Sequence, residues 1–235
     1  MFSVLSSVPW RKRDAGLAAS DGSLMLASNE VCRQTTPSVI THALAEQCRE
    51  DRVAAERFIS ERFAATYGAQ LTTFMPRLFS LRTAQGEMVG AFGLRPASQR
   101  LFLERYLDHP VEAVLGEALG MSVERQQIVE VGHFAGSGAG ASRAMIIQLT
   151  ARLHREGFRW VLFTGTAGLR NAFYRLGLET IDIAPADPTR LDRREQLQWG
   201  SYYQHMPRVQ FGDIAKGFSA LSRTTPPSSR SAWKP

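Results

Sequence analysis

Cysteine is scarce in this 235-residue chain: Cys32 and Cys48 are the only two, and they form no C-x-x-C pair. A disulfide framework is therefore excluded, and a reducing compartment, the cytoplasm, is the expected setting. No uninterrupted apolar run reaches the length of about 18 residues that a membrane-spanning helix needs, so no integral membrane segment is expected. The opening residues, MFSVLSSVPWRKR, put a short apolar stretch before the charges, the reverse of a secretory signal. Lys and Arg exceed Asp and Glu by six, yet no basic run or interleaving of basic and aromatic residues marks a nucleic-acid surface. His, Cys and carboxylates lack the spacing of a metal site, and no internal repeat is present.

The rest is ordinary globular material, 44% hydrophobic and 21% charged. Residues 1–35 read as a loosely ordered arm, 36–220 as one domain, and 221–235, rich in Pro, Ser and Thr, as a disordered tail. From Asp51 to Tyr67 the apolar residues Val53, Phe58, Ile59, Phe63 and Ala64 recur at helical spacing, with Gly68 as a stop. Residues 78–83 and 87–94 form a hairpin around Gly86. Pro110 opens a further helix. Residues 125–134 are a strand, Ser142 caps a helix from Arg143 to about Glu156, and 158–164 are a second, nearly all-apolar strand. A helix from Ala167 to Leu176 follows, ending at Gly177, and 209–214 supply a last strand. Strand, helix, strand, helix in that order predicts parallel strands, hence an α/β domain with a central mixed sheet flanked by helices.

The chemistry concentrates between Glu130 and Arg143. Glycines at 136, 138 and 140 ahead of a helix let backbone N–H groups approach a phosphate, and Arg143 adds positive charge; a merely permissive turn is the alternative. The dinucleotide pattern fails, because Ala141 stands where its third glycine belongs. Glu130 lies in an apolar strand, where a carboxylate is costly unless it is paired, for instance with Arg95, or functional as a general base. His133 is a second candidate base, or a hydrogen-bonded structural histidine. In a regular strand it lies on the face opposite Glu130, unless a bulge intervenes. Backbone N–H groups at Phe134 and Ala135 suit an oxyanion if the strand splays from its neighbour. Glu104, Arg105, Tyr106 and Asp108 form a polar cluster that either binds an acceptor or pairs within a helical turn. Trp199, Tyr202 and Tyr203 either pack at the rim or line an acyl pocket.

Residues 132–178 resemble the core of the GNAT acyltransferase superfamily, whose second helix often carries Asn and ends in Tyr-x-x-x-Gly-Phe. Asn171 to Leu178 matches, with Phe173 at the position of the frequent acid tyrosine and Tyr174 one place later. The Gln or Arg that usually opens the phosphate turn is absent. A closer resemblance, to the thermostable hemolysin family, is carried by Arg95-Pro96-Ala97, LFLERYLDHPVE (101–112), IVEVGHFA (128–135), LRNAFYRLGL (169–178), PADP (185–188) and WGSYYQHMPRV (199–209). That family looks like a GNAT-like branch near the acyl-homoserine-lactone and N-acyl amino acid synthases, which begin a central strand with Glu, as Glu130 does, but follow it with Ser-Arg where Gly132-His133 stand here. The resemblance implies a V-shaped splay near strand 128–135. It implies acyl transfer from an acyl carrier protein or acyl-CoA thioester to the amine of a small acceptor such as an amino acid, with no tightly bound cofactor and no nucleic-acid partner. The implied roles are Glu130, His133 and Phe134 in catalysis, Ala135, Gly136, Gly138, Gly140, Arg143 and Asn171 around the pantetheine and phosphates, and Arg95, Glu104, Arg105 and Tyr106 around the acceptor. A membrane-active haemolysin and a non-catalytic carrier-binding protein are the alternatives.

Overall fold

The computed structural model describes residues 2–4, 40–44 and 49–224, with side chains described from 51 to 223. Strands β1 (Phe2–Val4), β2 (Ile40–Leu44), β3 (Arg77–Arg82), β4 (Met88–Pro96), β5 (Ile128–Gly136), β6 (Trp160–Gly165), β7 (Ile181–Pro185) and β8 (Arg208–Asp213) form one mixed sheet in the order β2-β3-β4-β5-β1-β6-β8-β7. The helices are α1 (Arg49–Tyr67), α2 (Val111–Leu119), α3 (Ala139–Arg155), α4 (Ala167–Arg175), α5 (Arg193–Gln198) and α6 (Ile214–Thr224), with 3-10 turns at Leu103–Tyr106 and Tyr202–His205 among the connections.

One core lies between the sheet and α1, α2 and the 101–106 and 199–202 segments, and includes Ile59, Phe63, Met75, Leu103, Leu115, Trp199 and Tyr202. The other joins the opposite face to α3, α4 and α6 through Met145, Ile146, Leu149, Phe163, Phe173 and Ile214. Fully burying one such side chain is worth about 1.5–3 kcal/mol, so each helix is held chiefly by its sheet-facing stripe.

The hairpin forms as β3 and β4, closed by the Gly86 N–H to Thr83 carbonyl bond of 2.9 Å. Pro110 precedes α2 as its N-cap. β5 and β6 are parallel, with Ile128 opposite Trp160, as the alternation of elements predicts.

Several expectations are corrected. The buried stripe of α1 is Ala55, Ile59, Phe63 and Tyr67, while Val53 and Ala64 are exposed. A spacing of four keeps that stripe over the sheet, and local hydrophobicity alone does not show which of two adjacent stripes faces it. Helix α3 begins at Ala139 with Gly138 as N-cap, so Ser142 sits buried inside its first turns and is not its cap. Residues 125–127 are a 3-10 turn before β5. β7 and α5 are too short to carry a periodic signal; α6, although Ile214, Phe218 and Leu221 recur at helical spacing, is not among the expected elements, and it runs to Thr224 with Leu221 buried, so the tail expected from 221 starts inside a helix. The remainder of that tail and most of the expected arm lie outside the described residues, as do both cysteines.

Candidate active site

The site is built on β5, whose nine residues are all buried. Its antiparallel register with β4 runs Val129–Pro96, Glu130–Arg95, Val131–Leu94 and Gly132–Gly93, then resumes at Ala135–Ala91. Three steps on β5 therefore oppose two on β4. The extra residue is absorbed at His133, whose φ is 55°, a left-handed conformation uncommon outside glycine. This bulge reverses the alternation. Glu130 and His133 share a face, and Phe134 turns into the opposite core. A Cβ at Gly132 beside it would stand 2.3 Å from Met75 Cε, so the end of that buried side chain packs where a larger residue would reach.

His133 is locked. The Met75 N–H donates to its Nδ1 at 3.3 Å, the Thr73 backbone accepts from it, and its ring packs 5.4 Å from Phe74 and 6.5 Å from Phe63. Burial, reinforced by nearby positive charge including Arg95, pushes its pKa down to about 3, so the imidazole is neutral.

Glu130 accepts the Phe102 N–H at Oε2 (2.8 Å) and the Leu103 N–H at Oε1 (3.1 Å), at the start of the 3-10 turn. Burial raises the proton affinity of its carboxyl, against the pull of those N–H donors and of the Arg95 charge. Arg95 is half-buried directly across the ladder, and no ion pair or hydrogen bond holds it among the described residues.

The acceptor cluster divides. Glu104 receives the Leu101 and Val111 N–H groups at 3.0 and 3.2 Å and two nitrogens of Arg125 at 2.6 and 2.9 Å. Burial acts to raise its pKa, but Arg125 and those N–H groups outweigh it and hold the carboxyl below its usual range. Arg125 also binds Glu112 and the Ala97 carbonyl, each at 2.6 Å. Glu104 is thus the frame of the loop over Glu130. Arg105 pairs with Glu195 and lies 4.6 Å over the Phe102 ring. Asp108 pairs with Arg190 at 2.5 Å. The buried Tyr106 hydroxyl meets that of Tyr203 at 2.6 Å, and burial above all raises both phenols.

β5 and β6 stay paired only as far as Glu130–Leu162. Beyond that they diverge, and β1 lies between them, with Phe2 opposite both Phe134 and Gly165 and Val4 opposite Ala135. The expected splay is thus a slot as wide as one extended chain, two strand spacings or about 9.6 Å across. At its end, Gly138 and Gly140 face open space at the N-terminus of the 17-residue α3. Arg143 is exposed there with no ion pair among the described residues, whereas the Cβ of any residue replacing Gly136 would stand 2.7 Å from Ser142 Oγ. On α4, Phe173 is buried against Phe163 at 4.8 Å, Tyr174 is 84% exposed, and Asn171 is exposed. A groove of about 500 Å³ lined by Trp160, Phe211, Lys216 and Arg223 lies elsewhere, on the β8–α6 side, and shares no residue with this site. Among the described residues no group of three His, Cys, Asp or Glu is placed to hold a metal, and no helix is long and apolar enough to cross a membrane.

Residues 45–218, most of the chain, match the family described as thermostable hemolysin. The chain belongs to that family. No curated protein sequence matches it. Solved structures do: FeeM, an N-acyl amino acid synthase from uncultured soil microbes, has a TM-score of 0.55 at 14% identity, covering 81% of this chain and 99% of its own. TofI, in a ternary complex with an inhibitor and MTA, has a TM-score of 0.53 at 20% identity, covering 78% and 96%. BjaI, a CoA-dependent acyl-homoserine lactone synthase seen with SAM and isopentyl-CoA, has a TM-score of 0.53 at 15% identity, covering 79% and 89%. At such identities the likeness establishes fold: this thermostable hemolysin family member has the GNAT-like architecture of those synthases.

Sequence reasoning missed the donors that hold Glu130, because Phe102 and Leu103 act through backbone N–H groups that no side-chain pattern reveals. It also missed Arg125, which holds Glu104 and whose only signal was a charge at a strand's start.

Proposed function

We propose that this protein is an acyltransferase that moves an acyl group from a carrier-protein or CoA thioester to the amine of a small acceptor. The observation that carries the reading is the slot between β5 and β6 opening directly past a buried carboxylate. A pantetheine arm carries amide groups and pairs with strand edges much as a peptide does; in this reading it takes the place held by Phe2–Val4. Its phosphate end meets the α3 N-terminus at Gly138 and Gly140 with Arg143 beside it, and the thioester carbonyl oxygen lies against the Phe134 and Ala135 N–H groups. The likeness in fold to enzymes that handle acyl-CoA and acyl amino acids supports it.

Glu130 is the base in this reading. Each of its oxygens accepts one N–H and keeps a second lone pair. Burial raises its proton affinity, which suits a group that takes a proton from an acceptor amine. His133 is the positioning residue: neutral and held at Nδ1, it fixes the bulge that aims Glu130 and the Phe134 backbone at the same slot. Arg95 and Tyr106 bound the acceptor side, and the guanidinium of Arg95, which has no ion pair among the described residues, suits an acceptor carboxylate.

Incubating the protein with acyl-CoA and acyl-carrier donors of several lengths and a pool of amino acids and amines should release free thiol and form acylated amine. No release with any donor refutes the reading. Dye leakage from anionic vesicles without any substrate would favour a membrane-lytic protein instead.

A further inference from the structure

The slot that the acyl-transfer reading gives to the donor is filled by the chain itself. Phe2–Val4 lies between β5 and β6 as a parallel strand, with Phe2 opposite Phe134 on one side and Gly165 on the other, and Val4 opposite Ala135. Phe134 and Ala135 are the two residues whose N–H groups that reading turns toward the thioester carbonyl. α1 lies over one face of β1 and α4 over the other. The slot is one extended chain wide, so it holds β1 or a pantetheine arm, never both.

Inner strands are ordinarily the best paired of a sheet, because both of their edges need partners. β1 is the opposite. With three residues it is the shortest strand of the sheet among the described residues. Its register against β5 is broken between Phe2 and Val4, and against β6 it makes one residue pair. β5 and β6 hold each other directly from Ile128–Trp160 to Glu130–Leu162, so the sheet stays continuous without it. Residues 5–39 separate β1 from β2, and closing a connection of that length costs chain entropy whenever β1 is seated.

We propose that β1 is an occluding strand: its backbone and the pantetheine arm of the donor compete for the slot between β5 and β6, and the donor binds only when β1 has left. This rests on the acyl-transfer reading above. When the arm enters, its amides take over the edges of β5 and β6 that β1 covered, so those edges keep partners in both states. One set of strand-edge hydrogen bonds is exchanged for another, and the difference between them sets the fraction of protein that is open. A slot open in about one molecule in ten binds its ligand about ten times more weakly than the same slot always open.

The test is binding, so turnover is not needed. Coenzyme A, and in parallel an acyl carrier protein bearing its phosphopantetheine arm, are titrated into the full chain and into Ser3→Pro. Proline at position 3, between the two paired positions, removes a strand N–H and fits poorly inside a sheet. Ser3→Pro should bind the probe about tenfold more tightly than wild type. A synthetic peptide of residues 1–7, MFSVLSS, at about 1 mM, the effective concentration of a tethered segment, should weaken that binding competitively. Equal affinity of the two proteins overturns the proposal and leaves the donor slot standing, as does a peptide without effect. Hydrogen exchange of wild type needs no substitution and decides the matter if Ser3→Pro does not fold. Saturating probe should speed exchange of the Ser3 and Val4 amides by about tenfold while residues 134–136 stay protected. Ser3 and Val4 amides that are unprotected without probe, or that stay protected with it bound, overturn the proposal. Failure of both proteins to bind either probe overturns the donor slot itself, and this inference with it.

Discussion

Acid titration of His133 separates the two candidate bases. In the folded protein its pKa is depressed from 6.5 to about 3, chiefly by burial. A depressed folded pKa means that the unfolded chain binds the proton first. The stabilising effect of keeping the ring neutral is therefore full above about 6.5 and is lost as pH falls toward 3, at about 1.4 kcal/mol per pH unit. The natural perturbation is His133→Asn: Asn tolerates the left-handed backbone at φ 55°, and its Oδ1 can accept the Met75 N–H that Nδ1 now holds. Between pH about 7.5 and 5, wild type should lose about 2 kcal/mol more than the variant, some 4–8 °C in Tm for a domain of this size. That window lies above the range where the salt-bridged carboxyls of Glu104 and Glu156, held below their usual value, begin to matter. Glu130 acts with the opposite sign within it but is common to both proteins, so the difference isolates His133. Urea unfolding across that range reads it directly. Equal acid sensitivity of the two proteins would show that the imidazole is solvated or charged, and the assignment of His133 as a neutral positioning group would fail.

Three further outcomes are expected. Glu130→Gln leaves one acceptor oxygen for two N–H donors and turns an NH2 group toward the other, so near pH 4.5 stability should fall by about 2 kcal/mol in urea unfolding. Acyl transfer should fall by a factor of about 10²–10⁴. Because the carboxyl's folded pKa is raised, its favourable contribution exists below its ordinary value of 4.5 and is lost as pH rises through the raised one, so the variant should also have a flatter stability curve above about pH 4.5. Arg125→Met strands Glu104 beneath its loop and should cost about 2–3 kcal/mol by thermal unfolding, with a rise in KM for the amine as the 101–106 turn loosens. Gly200→Ala forces a Cβ against the Tyr67 carbonyl in a left-handed backbone and should cost about 3 kcal/mol; an unchanged Tm would mean that the two segments are not in contact.

Much of the architecture was legible because it is local. Helical spacing marked α1, proline marked the start of α2, and Gly86 marked the hairpin. The nearly all-apolar 158–164 run read as a strand covered on both faces, and β6 is one, parallel to β5. The failures share a cause. β7 alternates weakly and is largely exposed at the sheet's edge, and α5 has only six residues, so neither carries a periodic signal. The start of α3 was misplaced because glycines at 138 and 140 imitate a loop, although Gly138 is the cap and Gly140 is inside the helix.

The sequence by itself determined the fold class, the family and the presence of one costly carboxylate at Glu130 between apolar neighbours. Those follow from residue type, short-range period and motif order. Only the tertiary structure decided what surrounds that carboxylate and His133 and that they share a face. A single extra residue in β5 relative to β4 puts both side chains on one face, and such a bulge is fixed by two strands at once. The donors to Glu130 come from 27 and 28 residues away, and the contacts that pin Tyr67 to Ser201 span 134. The slot exists because pairing stops at Leu162, a property of how β5 and β6 diverge under the helices packed on either side of the sheet.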